Sequence, residues 1–239
     1  MTKYKYNSYP LGKVPKKLQR PEIDKLKELG YEFNDAREII DIFEKKVAEF
    51  AGCKYGVTVD CCSHGMFLAL MYLRNTEGLP SQIIIPRRTY VSTPMQAMHV
   101  GCDVEFEDLE WSGIYQLKPT RVWDGAVRWT KNMYVGDNAL QVLSFQFKKR
   151  VPIGKGGMIL TNDETAAKWL KFASYDGRDL TLPYDHPEHV KTLGYHMYMT
   201  PEDAARGIIL MDTIPEENED SGNHTMYPDV ERMMNNIRI

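Results

Sequence analysis

Leu143-Ser144-Phe145-Gln146-Phe147-Lys148-Lys149-Arg150-Val151-Pro152-Ile153-Gly154-Lys155-Gly156-Gly157-Met158-Ile159-Leu160-Thr161-Asn162-Asp163 sets two short apolar runs on either side of a basic loop that carries three glycines. Short apolar runs bounded by turn residues read as buried strands. A lysine held in a tight loop between two such strands sits in a partly dry place. Its ammonium can lose a proton there and become a nucleophilic amine, the condition for attack on an aldehyde. Two adjacent lysines compete for that role. In an extended segment neighbouring side chains point in opposite directions, so Lys148 and Lys149 are expected to face different sides.

Working outward, strands and helices alternate. Tyr55 to Asp60 reads as a strand and Ser63 to Leu73 as a helix with Met66, Phe67, Leu70 and Leu73 turned inward. Gln82 to Pro86 is a second strand, followed by a turn through Tyr90 and a helix to Val100. Cys102 to Phe106 and Thr120 to Trp123 are further strands, the latter running into Asp124-Gly125-Ala126. Ahead of them, Ile39, Ile40, Ile42, Phe43, Val47 and Phe50 recur at helical spacing from Ala36 to Ala51, with Asn34 or Asp35 as cap. Beyond them, a helix is expected from Asp163 to Ser174, capped by Asn162 or Asp163. This alternation predicts an α/β fold with a mostly parallel sheet covered on both faces. The junction Asp60-Cys61-Cys62-Ser63-His64 leads a strand straight into a helix, and the unpaired N–H groups of such a start suit a phosphate. His64 itself reads as a helix-surface residue.

At these residues the chain resembles the DegT/DnrJ/EryC1 family of pyridoxal-phosphate aminotransferases acting on nucleotide-linked keto-sugars. Ser144-Phe145, Lys149, Gly154-Lys155-Gly156-Gly157 and Thr161-Asn162-Asp163 follow the family pattern of a Ser-Phe strand end, a lysine five residues beyond the serine, a Gly-x-Gly-Gly turn and a strand ending Thr-Asn-Asp. The resemblance implies that Lys149 forms the Schiff base with pyridoxal 5'-phosphate. It implies that Asp124 pairs with the pyridinium nitrogen, that Tyr90 stacks on the ring, and that Cys62, Ser63 and Ser144 hold the phosphate. His196, in a Gly-Tyr segment leading to a helix with paired alanines, becomes a candidate contact to the cofactor phosphate of a second subunit, in a homodimer.

The chain departs from the pattern in five places. Cys62 stands where the family has glycine, and Val127 where it commonly has glutamine. His196 and Tyr198 replace an asparagine and an arginine. The span from Glu107 to Arg121 is too short for the strand and crossover helices of typical members, so a trimmed sheet is expected. Past Met211 the chain turns acidic and irregular where typical members enter a second domain.

The expected organisation is an amino-terminal arm at 1–35, a three-layer αβα fold-type-I large domain at 36–212, and a tail at 213–239. Without a second domain the pocket is expected to be open unless the amino-terminal arm or a partner covers it. The function implied is transfer of an amino group from an amino acid to a keto-sugar. The alternative is a cofactor-binding remnant or accessory subunit that does not transaminate alone, and a third reading is a nucleotide-binding α/β module.

Composition limits the other classes. The 239 residues carry a formal net charge of -3, with 43% apolar and 26% charged residues, an ordinary globular balance. No basic stripe points to nucleic acid. No apolar run approaches a membrane span, and the start has no apolar signal core, so a soluble cytoplasmic protein is expected. Cys53, Cys61, Cys62 and Cys102 lack framework spacing and contain no Cys-x-x-Cys, which predicts neither disulfides nor a metal site. Gly154-Lys155 lacks the remaining residues of a phosphate-binding P-loop.

Overall fold

The computed structural model describes residues 16–234. Its strands are β1 (Tyr55–Val59), β2 (Gln82–Pro86), β3 (Asp103–Glu107), β4 (Tyr115–Gln116), β5 (Val122–Asp124), β6 (Leu140–Ser144) and β7 (Gly157–Thr161). Its helices are α1 (Glu22–Glu28), α2 (Glu38–Ala51), α3 (Cys62–Thr76), α4 (Ser92–His99), α5 (Glu164–Ser174), α6 (Pro201–Met211) and α7 (Val230–Met234).

Five strands form one sheet in the order β1-β7-β6-β5-β4, and β2 pairs in parallel with β3 beside it. Two backbone hydrogen bonds, Ile84 N–H to Lys118 C=O (2.8 Å) and Lys118 N–H to Ile84 C=O (3.1 Å), join β2 to the chain just after β4. Through that bridge β1, β2, β3, β5 and β6 point one way, and only β4 and β7 run against them.

Alternation along the strands sorts the core into two layers. Val142 and Ile159 face the cluster built with α3, α4 and α5, whereas Leu143, Met158 and Leu160 face that built with α2 and α6. Both faces are therefore dry, which accounts for the near-continuous apolar reading of β6 and β7. On α2 the buried positions Ile39, Ile40, Phe43, Val47 and Ala51 lie on one stripe, and Ile39, Phe43 and Val47 are fully enclosed. Each such side chain contributes about 1.5–3 kcal/mol through burial. The helix ends on Gly52 at φ 78°, as a left-handed cap requires.

Several expectations need correcting. The first residue of α2 is preceded by Arg37 as N-cap, and neither Asn34 nor Asp35 caps it; the Asp35 carboxylate instead accepts from the Arg37 N–H (2.8 Å) and guanidinium. The described part of the arm is not featureless, because α1 lays the fully buried Leu26 against α2 and α6. Residues 1–15 of that arm lie outside the described residues. The short span between β3 and β5 does lack crossover helices, but it still supplies a strand. That strand, β4, pairs antiparallel to β5 and fills the place between β5 and β2.

Gly157 shows why the Gly-Gly of the opening motif is fixed. A Cβ there would sit 2.7 Å from the Cys62 nitrogen and 2.9 Å from the Leu143 oxygen, all main-chain atoms with no room to yield. The absent side chain lets β7 lie directly against the start of α3. Gly157→Ala is expected to cost about 2–3 kcal/mol, read as a lower urea midpoint with an unchanged slope.

Candidate active site

A cavity of about 450 Å³ opens where β5 and β6 end and α3 and α4 begin. That is the size range of pockets that hold cofactors and small ligands. Six of the seven residues expected at the site line it: Cys62, Ser63, Tyr90, Asp124, Ser144 and Lys149. His196 does not. Its ring is exposed and its Nδ1 lies 3.1 Å from the Asp176 carboxylate, with Tyr198 edge-on at 4.7 Å.

Asp124 ends β5 and is 5% exposed. The Tyr115 hydroxyl donates to its Oδ2 at 2.5 Å, the Ala126 N–H to Oδ1 at 3.0 Å and the Thr93 hydroxyl to Oδ2 at 3.3 Å. Burial pushes the carboxyl above its ordinary value, while the donors and the Lys149 charge act the other way. Burial and the Asp124 charge both push the Tyr115 phenol well up, so it stays protonated and donates. Thr89 completes the chain by a short hydrogen bond to the same hydroxyl.

Lys149 sits in a turn, its N–H donating to Gln146 C=O at 2.8 Å. The pairwise alternation expected of an extended segment therefore does not apply, and both Lys148 and Lys149 line the cavity. They differ in surroundings. Lys148 is exposed, with its ammonium 5.5 Å from the centre of the Phe147 ring. Lys149 is half-buried, its charge acts on Asp124 and Cys62, and its ammonium donates no hydrogen bond to any described residue.

At the start of α3 the Ser63 and Ser92 hydroxyls meet at 2.6 Å. Beside them His64 Nδ1 lies 2.6 Å from Asp60 Oδ1, and Lys155 Nζ lies 3.0 Å from Asp60 Oδ2. Hydrogen bonding to Asp60 and then to the Cys61 side chain pushes the imidazole up to about 10. Burial works against the Asp60 carboxylate, but hydrogen bonds from His64 and Lys155 outweigh it and hold it below its ordinary value. His64 is thus a paired imidazolium, not a free surface ring. Because the folded value lies above the ordinary 6.5, its contribution to stability is full below that pH and is lost as pH rises through about 10. The gap in urea midpoint between wild type and His64→Asn is expected to shrink over that window.

Part of the wall comes from the segment expected to be a tail. Ser221, Gly222, Met226 and Tyr227 line the cavity together with Tyr90 and Trp111. Their segment is tied down along its length. Asp220 accepts both Nε (3.0 Å) and Nη2 (2.9 Å) of Arg128, the Ser221 N–H donates to Val127 C=O (2.8 Å), and the Val230 N–H donates to Arg87 C=O (3.0 Å). Tyr227 packs on Trp111 with ring centres 5.6 Å apart, and burial with the nearby Asp124 and Cys62 charges pushes its phenol up to about 12. This segment thus contributes to the wall of the pocket. Val127, at the position commonly held by glutamine, is 7% exposed, and its neighbour Arg128 serves the closing segment.

A sequence model of the DegT/DnrJ/EryC1/StrS aminotransferase family matches residues 32–125 and 126–228. The chain belongs to this family. The spore coat polysaccharide biosynthesis protein SpsC of Bacillus subtilis (strain 168) is 23% identical to it over 70% of this chain and 54% of that protein. The chain thus spans about half the length of this curated relative. Among solved structures, a putative PLP-dependent aminotransferase from Bacillus cereus ATCC 10987 superimposes with a TM-score of 0.61 at 19% identity, covering 84% of this chain and 65% of that one. DesI, solved in the presence of its TDP-sugar product, gives 0.58 at 19% identity, covering 82% and 57%. These likenesses show a fold-type-I architecture.

The cavity suits the family's pyridoxal phosphate by its own chemistry. A buried carboxylate, an amine without a hydrogen-bond partner among the described residues and the free N–H groups at the start of α3 all line it. Tyr115, Thr93, Trp111, Lys155 and the closing segment carried no signal in the sequence, since each joins the site through pairing at long separation. No helix among the described residues is long and apolar enough to cross a membrane.

Proposed function

We propose that the chain is a pyridoxal-phosphate-dependent aminotransferase that moves an amino group from an amino acid to a nucleotide-linked keto-sugar, with this cavity as its centre. The observation that carries the reading is the presence of Lys149 and the buried Asp124 in the lining of one pocket, close enough for the Lys149 charge to act on the carboxylate. When bound, the cofactor supplies an aldehyde and an electron-withdrawing ring. Asp124, fixed by three donors, would hold a proton on the ring nitrogen. Lys149 would be the point of covalent attachment and the base that moves a proton at the substrate carbon. Ser63, Ser144 and the Cys62 main chain would take the phosphate, and Tyr90 would lie on the ring face. Tyr227, packed on Trp111, would shield part of the cavity from water, where open solvent would weaken the charge pairing. Sugar as the acceptor is supported by the polysaccharide relative and by the sugar-bound DesI.

The test separates the two half-reactions. Adding glutamate to the cofactor-loaded protein should bleach its visible absorbance, and a panel of nucleotide-linked keto-sugars should restore it. Restoration by non-sugar 2-oxo acids alone would remove the sugar from the reading, and no bleaching with any donor would favour an accessory role.

The chain is further proposed to work as a homodimer, in which exposed His196 reaches a second copy's phosphate site. Sedimentation equilibrium is expected to give twice the chain mass, and His196→Ala to weaken cofactor retention several-fold. A monomer that holds cofactor tightly would refute both.

A further inference from the structure

Cys61 lines the cavity at its α3 end and is half-buried, where Cys62 and Cys102 are buried. It is the N-cap of α3, a fifteen-residue helix, so its side chain sits at the positive end of the helix dipole. Its Sγ, a His64 ring nitrogen and an Asp60 carboxylate oxygen all lie within 4.8 Å of one another. Asp60 in turn holds the ring at 2.6 Å, and Lys155 anchors the other carboxylate oxygen at 3.0 Å. A thiol beside an imidazole that a carboxylate orients is the arrangement of an activated nucleophile.

None of the cofactor roles proposed above uses this trio. We propose that Cys61 is a reactive, reversibly modified cysteine that takes small anionic disulfides, and that the adduct blocks the α3 end of the cavity. The anionic class follows from the charge around the thiol, because Lys148, Lys149 and Lys155 line the same cavity. In the step, the electron pair of the Cys61 thiolate forms a new bond to one sulfur of the small disulfide. The original S–S bond breaks towards the other sulfur, which leaves as a thiolate and takes a proton from His64; the imidazole regains one from solvent. One disulfide is consumed, one mixed disulfide and one small thiol are formed, and an excess of small thiol reverses it.

The remaining cysteines are poorer candidates on physical grounds. Burial pushes the Cys53 thiol up to about 11, pushes Cys62 well above the ordinary range and raises Cys102.

The test uses the full chain with glutathione disulfide as the probe, at pH 6.5, followed by intact mass and peptide mapping. One adduct on Cys61 is expected, removed by reduced glutathione, and iodoacetamide should label Cys61 about ten-fold faster than Cys53. His64→Gln and Asp60→Asn should each slow that labelling several-fold while far-ultraviolet circular dichroism is unchanged, and Cys61→Ser should abolish the adduct. Inorganic phosphate or pyridoxal phosphate should protect Cys61, since they compete for the same helix start. First labelling on Cys53, or equal Cys61 rates in wild type and in both folded variants, would overturn the proposal. Because the labelling is read without turnover, it stands or falls separately from the aminotransferase reading.

Discussion

Lys149→Ala is expected to lower amino transfer by roughly 10^4-fold or more, the scale on which removal of a covalent nucleophile acts. The variant should also lose cofactor on gel filtration, because the proposed covalent attachment runs through Lys149. Folding should be unaffected, since the side chain donates no hydrogen bond to a described residue and is only half-buried. Lys149→Arg sharpens the result. It keeps the positive charge that acts on Asp124 but cannot form the bond, so it should be as inactive as the alanine variant. Lys148→Ala should retain most activity, because that ammonium lies out over Phe147. A Lys149→Arg protein with near wild-type rates would reduce the residue to a charge partner and end the covalent assignment.

Asp124→Asn is expected to lower the rate by roughly 10^2–10^3-fold, the scale on which loss of one preorganised electrostatic contact in a dry site acts. The same change should not destabilise the cofactor-free protein. Burial raises the Asp124 carboxyl above its ordinary value of 3.8, so its ionised form works against folding; that penalty builds as pH rises from 3.8 to the folded value and is constant above it. The asparagine carries no such penalty. The urea midpoint of Asp124→Asn should therefore equal or exceed that of wild type at neutral pH, and the difference should vanish as pH falls below 3.8. A site residue whose removal weakens function while sparing stability is retained for chemistry, not packing. If instead Asp124→Asn unfolded the protein with activity per folded molecule intact, the carboxylate would be a structural anchor for Tyr115 and β4.

Much of this arrangement was legible in the chain. β2 occupies the span its apolar run predicts, and α5 begins after Asp163, whose side chain accepts from the Ala166 N–H at 3.0 Å. Lys149 and Asp124 were singled out through the family resemblance, and the fold brings both to the lining of one cavity. Other parts had no local signature. β4 is two residues long, too short for a period to register, and its place depends on pairing with β5 and on the Ile84–Lys118 bridge. Tyr115 is consequently invisible from sequence although it makes the shortest of the three hydrogen bonds to Asp124. The closing segment reads as an acidic irregular run, yet Asp220 meets Arg128 across 92 positions, a contact without a sequence pattern. The adjacent lysines were separated correctly in burial but for a different reason from the one expected: a turn, not strand alternation, sets where each ammonium goes.

Ser221, Met226 and Tyr227 supply part of the cavity wall from within the described residues.

Borohydride reduction of the cofactor-loaded protein, followed by peptide mapping, tests the central assignment most directly. The account predicts a single pyridoxyl label on Lys149, absent from the Lys149→Arg protein; a label on Lys148 or Lys155, or none with cofactor in excess, would contradict it.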